Sequence, residues 1–223
     1  MLLRRAGAEF VGTFFLVFIG VGAVAVEATS GGLGSVGVSL AFTFAVATAV
    51  YAFGPISGAH INPAVTIGLW TRGALDRGHV PVYVVAQFAG AVSASFALVM
   101  LFGDAVESGA TVPRIALGPA FLVEALMSFV LMIVILAVVD HRGARGVGAL
   151  AIGFAVGMDS LMGEGLTGAS MNPARSFGPA VASSTWTQHW LYWVAPIVGM
   201  VAAALFWRWV AGDVADADAG RGA

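Results

Sequence analysis

Two nine-residue segments hold the side chains with the most chemistry in this chain. Ser57-Gly58-Ala59-His60-Ile61-Asn62-Pro63-Ala64-Val65 is followed, 110 residues later, by Thr167-Gly168-Ala169-Ser170-Met171-Asn172-Pro173-Ala174-Arg175. Gly, Ala, Asn, Pro and Ala recur in register. Asn favours the N-cap and Pro the first helical position, so each Asn-Pro can open a helix. The small residues ahead of it are expected to be extended, with the carbonyls of Gly58, Ala59, His60 and of Gly168, Ala169, Ser170 on show as acceptors. A single copy would read as an ordinary helix start in a loop. Two copies in register read as a site. Arg175 breaks the repeat in charge, since its counterpart is Val65. Glu9 and Glu124 are carboxylates inside apolar runs, where an acid is either a proton relay or a buried acceptor for backbone N–H groups. Four His without any Cys give no metal site. No Ser-His pair has catalytic spacing and no Gly loop suits a phosphate, so neither an enzyme nor a cofactor is expected.

The elements that position these residues follow from composition. Of 223 residues, 59% are hydrophobic and 10% charged. A soluble domain carries about 25% charged residues and could not hide this apolar surface. The chain reads as a membrane protein. A membrane helix needs about 20 apolar residues, and six segments qualify: Ala6–Glu27, Val36–Gly54, Val80–Phe102, Ala116–Val139, Val147–Met162 and Trp190–Val210. The first has Arg4 and Arg5 ahead of it, like a signal peptide. Its apolar run from Phe10 to Val26 exceeds the usual length of such a region, so it reads as an uncleaved span. With six spans, Arg4, Arg5, Arg72, Arg77, Arg142, Arg145, Arg208 and Arg221 fall on one side, and Arg114 and Arg175 on the other. Basic residues are retained inside, which makes both termini cytoplasmic. Residues 1–211 read as one transmembrane domain, and residues 212–223, with Asp213, Asp216 and Asp218, read as a disordered acidic tail. A net charge of −2 gives no case for nucleic acid.

The repeat extends beyond the two segments. Glu9 and Phe14 match Glu124 and Phe129, each pair five apart, so the chain is a duplication with halves at about 6–102 and 116–210. Three spans per half invert the second copy in the bilayer, and interrupted segments at corresponding positions of inverted repeats mark a pathway at the midplane. The expected fold is all-α: six transmembrane helices plus two re-entrant half-helices in an inverted three-plus-three repeat. The half-helices enter from opposite sides with their N-termini meeting near the middle. Their macrodipoles place positive partial charge there, and the amides of Asn62 and Asn172 add donors. A neutral water can turn its oxygen toward both, whereas a cation is repelled and a proton cannot pass along so oriented a chain. An Arg at membrane depth is by default functional. The alternative for Arg175 is an interfacial position or a pair with Glu164.

With paired Asn-Pro-Ala boxes in duplicated halves, the chain from about Ala6 to Val210 resembles the aquaporins, the major intrinsic protein family. The resemblance implies a channel that passes water and excludes ions and protons, working as a homotetramer in the cell membrane. It implies a constriction outward of the boxes, set by Phe42, Ser160, Ala169 and Arg175. Phe42 matches water-selective members, while Ser160 stands where many of them carry His. Two small residues in this ring imply a wider filter, open to glycerol, urea or ammonia. Ser176 (where glycerol facilitators carry Asp), Ala180 and Tyr192-Trp193 lean back toward water. Asp159 and Ser160 point about 100° apart on a helix, so only one faces the pore, and the unbroken Gly153-Phe154 alignment selects Ser160. In this family the acids support the re-entrant loops, a role the resemblance extends to Glu9 and Glu124, with Gln87 holding a loop or a neighbouring helix. Gly153 and Gly157 form a GxxxG that suggests close helix packing. His189 beside Trp190 reads as interfacial.

Overall fold

The computed structural model describes residues 1–140 and 145–211, the side chains of Arg145 and Gly146 excepted. Arg142, Arg221 and the acidic tail at 212–223 lie outside the described residues. Eight α-helices are described: α1 (Leu2–Ser30), α2 (Gly34–Ser57), α3 (Pro63–Arg72), α4 (Val80–Phe102), α5 (Leu117–Asp140), α6 (Arg145–Thr167), α7 (Pro173–Ser183) and α8 (Leu191–Ala211), with a 3-10 helix at Gly103–Gly109. Six are long and apolar enough to span a bilayer, and α3 and α7 are the two short ones. The all-helical, six-span fold is the one expected from the sequence. The boundaries differ by up to five residues. α6 continues to Thr167 rather than stopping at Met162, and its end is tied down by the Thr167 hydroxyl on Glu124 and the Tyr192 hydroxyl on the Thr167 carbonyl.

Packing follows the duplication. α1 packs on α2 and α4, and α5 on α6 and α8, as images of each other. The short helices cross over: α3 lies against α8, and α7 against α4. Each half therefore completes the other. α2 and α6 meet across the pseudo-twofold, and here glycine decides the distance. A Cβ on Gly157 would overlap the Thr43 hydroxyl, and one on Gly153 would press on the Thr43 carbonyl. The GxxxG thus serves close helix approach, as its spacing suggests.

The burial pattern is that of a protein solvated by lipid. Phe44, Val85, Met100 and Trp209 lie on the outside, while Glu9, Gln87, Glu124, Asn62 and Asn172 are buried. Lipid tails are as apolar as Leu, so outward apolar side chains cost nothing there, and interior polar groups must find partners within the protein.

Candidate functional site

Each re-entrant segment is built from a helix end, a short irregular stretch and a half-helix. α2 closes on Gly58, at φ 92°, and α6 closes before Gly168, at φ 84°. The stretches that follow are not extended, as the sequence suggested. Ala59 and Ile61 both have φ 47°, and Ala169 and Met171 have φ 45° and 53°. Left-handed backbone costs an L-residue about 1–2 kcal/mol. The alternation turns successive N–H groups one way and carbonyls the other, and buried carboxylates compensate the cost. Glu9 accepts from the Ser57 hydroxyl at 2.7 Å and from the N–H groups of His60 and Ile61 at 3.0 and 2.7 Å. The Gln87 amide adds a fourth donor at 2.8 Å. Glu124 accepts from the Thr167 hydroxyl at 2.6 Å and from the N–H groups of Ser170 and Met171 at 2.9 and 2.8 Å. Two tyrosines fix the helix ends: the Tyr83 hydroxyl donates to the Ser57 carbonyl at 2.7 Å, and that of Tyr192 to Thr167 at 2.6 Å.

The two boxes meet. Asn62 Oδ1 accepts from the N–H of Ala64 at 2.8 Å, and Asn172 Oδ1 from that of Ala174 at 3.0 Å, so both side chains cap their half-helices as N-cap chemistry requires. Pro63 and Pro173 occupy the first helical positions. Each Asn amide then reaches across the pseudo-twofold: Asn62 Nδ2 donates to the Met171 carbonyl at 2.8 Å, and Asn172 Nδ2 to the Ile61 carbonyl at 2.9 Å. An amide carries two N–H donors. One is spent on the opposite loop, and one remains for the cavity that both Asn line.

That cavity holds about 610 Å³. Phe42, Ser160, Ala169 and Arg175 all line it, as do Gly58, Ala59, His60 and Ser170, whereas Gly168 does not. Ser160 lines it and Asp159 does not, although Asp159 is buried with Oδ2 unpartnered. Arg175 makes no ion pair with Glu164. Its Nη1 donates to the Gly109 carbonyl at 2.7 Å, and its guanidinium lies 5.0 Å from the centre of the Phe42 ring. Nε has no protein partner. Ser176 does not line the cavity. Its hydroxyl bonds to Ser170 and accepts from Thr111 at 2.8 Å, behind the loop. Ala180 is buried, and Trp193 stacks on Phe88 with ring centres 5.0 Å apart.

Several contributors escaped the sequence reading. Ile61 and Met171 supply the carbonyls that receive the crossing amides. Their signal was present, since each directly precedes the repeated Asn. Gly109, which holds Arg175, sits in a segment outside the repeat and left no signal. The apolar wall of Leu16, Val46, Leu131, Ile135 and Val156 was legible in the register: Val46 and Val156 stand sixteen before Asn62 and Asn172.

Fold and cavity together define a duplicated multi-pass membrane protein with two half-helices opposed across a central pathway. Residues 1–207 match the family model of the major intrinsic protein, and the chain belongs to that family of channels. It is 39% identical to aquaporin AqpM of Methanothermobacter thermautotrophicus, over 95% of this chain and 99% of that one. It is 38% identical to aquaporin Z of Bradyrhizobium diazoefficiens, over 94% of each. Among solved structures it resembles the aquaglyceroporin from Plasmodium falciparum, with a TM-score of 0.81, 30% identity, and coverage of 93% of this chain and 96% of that one.

Proposed function

We propose that the protein is a passive channel that conducts water down osmotic gradients and excludes ions and protons. The observation that carries this reading is the reciprocal crossing of Asn62 and Asn172, which leaves one free amide hydrogen per box at the junction of two half-helix N-termini. A water there accepts from both amides and must point its own hydrogens away toward either exit. A Grotthuss chain is broken at that point, and both helix dipoles repel a cation. Phe42, Ser160, Ala169 and Arg175 form the selectivity filter in this reading. Glu9, Glu124 and Gln87 support the loops. The donors around both carboxylates favour that role over a proton relay. With six arginines among the described residues (Arg4, Arg5, Arg72, Arg77, Arg145 and Arg208) on the side of the termini, both termini are cytoplasmic and the filter faces outward. Residues 1–211 act as one channel domain in the cell membrane. Family resemblance adds a homotetramer with one pore per subunit.

A second reading, a channel for glycerol, urea or ammonia, is favoured by the small side chains of Ser160 and Ala169 and by the aquaglyceroporin likeness. Stopped-flow light scattering on proteoliposomes separates the two. Fast shrinkage in sucrose with slow re-swelling in glycerol and urea supports the water channel. Fast re-swelling assigns the filter to solutes, and flux that follows a proton gradient overturns both.

A further inference from the structure

Helical hydroxyls in this protein mostly bond to their own backbone. Thr13, Thr43, Thr71 and Ser95 each donate to the carbonyl four residues earlier. Ser39 and Ser160 do not. Ser39 Oγ donates to Ser160 Oγ at 3.0 Å, from α2 to α6, and both side chains are buried. The contact lies one turn along from the glycine crossing: Gly157 against Thr43 brings the helices close, and the next turn in each direction presents Ser160 to Ser39.

A hydroxyl has one hydrogen and two acceptor sites. By taking the hydrogen of Ser39, Ser160 keeps its own hydrogen uncommitted, and Ser160 is the member of the pair that lines the cavity. Without Ser39, the ordinary alternative for a helical serine is to donate to the carbonyl four residues back, here Val156. That withdraws the hydrogen from the cavity. We infer that Ser39, which does not line the cavity, is a positioning residue for selectivity: it holds Ser160 as a hydrogen-bond donor to the oxygen of a passing neutral molecule, in the cavity that Arg175 also lines. The inference rests on the channel reading above. It assigns to the filter two donor groups, one charged and one neutral, a pattern suited to a permeant whose oxygen accepts two hydrogens, such as water or the carbonyl of urea.

The test is a double-mutant cycle of Ser39→Ala and Ser160→Ala, with water and urea permeabilities and melting temperature measured on all four proteins. The expected result is that Ser39→Ala lowers urea permeability about fivefold in the wild-type background, the loss of roughly one net hydrogen bond, with a smaller fall in water flux. In the Ser160→Ala background it changes neither. If the wild type excludes urea, the same non-additivity is expected in water flux. An equal effect of Ser39→Ala in both backgrounds, or none on any permeant, overturns the inference. Coupling in melting temperature without coupling in flux also overturns it, because the pair is then a packing contact only. A wild type without osmotic water flux defeats the channel reading itself, and persisting thermal coupling identifies that failure as separate from absence of the contact.

Discussion

The register that relates the two halves also relates the two ends of the cavity, and the ends differ. Phe42, Ser160, Ala169 and Arg175 stand twenty before, twelve before, three before and three after an Asn of the boxes. The residues at the same offsets from the other Asn are Ile152, Val50, Ala59 and Val65, and these also line the cavity. At these four positions one end presents an aromatic ring, a hydroxyl and a guanidinium, and its image presents only aliphatic side chains. The backbone scaffold is common to both: a left-handed stretch, a carboxylate beneath it and an Asn cap. Duplication supplied the frame. The two ends differ at three of these four positions, those of Phe42, Ser160 and Arg175. In the proposed channel one polar end is enough to select, because every permeant must pass both ends.

The comparison can be broken most strongly at Arg175. Arg175→Val makes the polar end match its image at that position. Removing a fixed charge close to the permeant's path is worth several kcal/mol at an effective dielectric of about 20, so cation and proton leak should rise on the order of a hundredfold. A pH-sensitive dye inside proteoliposomes reads this directly, and an unchanged leak would place the barrier wholly at the boxes. The next effect uses the absence of cysteine. The parent should be insensitive to mercurials. Ala169→Cys should lose most of its water flux to an impermeant mercurial added on one side, and Ala59→Cys only to reagent on the other. Block of both from the same side would contradict the opposed mouths. The carboxylates come third. Glu9→Gln and Glu124→Gln each turn an acceptor toward the role of donor against backbone N–H groups, at a cost of about 1–3 kcal/mol. Both should lower yield and melting temperature without making flux depend on a proton gradient, and gradient coupling lost in a folded variant would restore the relay reading.

The smallest effect is at the rim of the polar end. His189 packs edge-on against Trp186, with ring centres 5.0 Å apart, and burial lowers its pKa below the ordinary 6.5. The folded state therefore favours the neutral ring. Stability from this group is complete above about pH 6.5 and falls as pH drops through the lowered value. Melting temperature should decline slightly on acidification below that point, and His189→Phe should flatten the decline.

Much of this was legible in the sequence because the duplication doubles every signal. The Asn-Pro boxes, the paired acids and the six apolar runs each occur at matching positions, and the fold followed from counting. Two kinds of feature were hidden. The conformation of residues 58–61 and 168–171 was misread as extended, since nothing in Ala, Ile or Met announces a positive φ. That geometry is imposed by Glu9 and Glu124 from far along the chain. The Arg175–Gly109 and Ser39–Ser160 contacts join segments whose proximity depends on helix crossing, and no local pattern records it.

The crossed asparagines bear on how the protein is made. Asn62 finds its protein acceptor only at the Met171 carbonyl, and the Ile61 carbonyl receives its donor only from Asn172. Residue 171 is made 109 residues after Asn62, so neither bond can form until most of the second half has been synthesised. Until then the Asn62 amide and the Ile61 carbonyl lack the partners they have in the finished fold. The two bonds are reciprocal, so a chain ending after α4 has neither of them and lacks half of the cavity's lining.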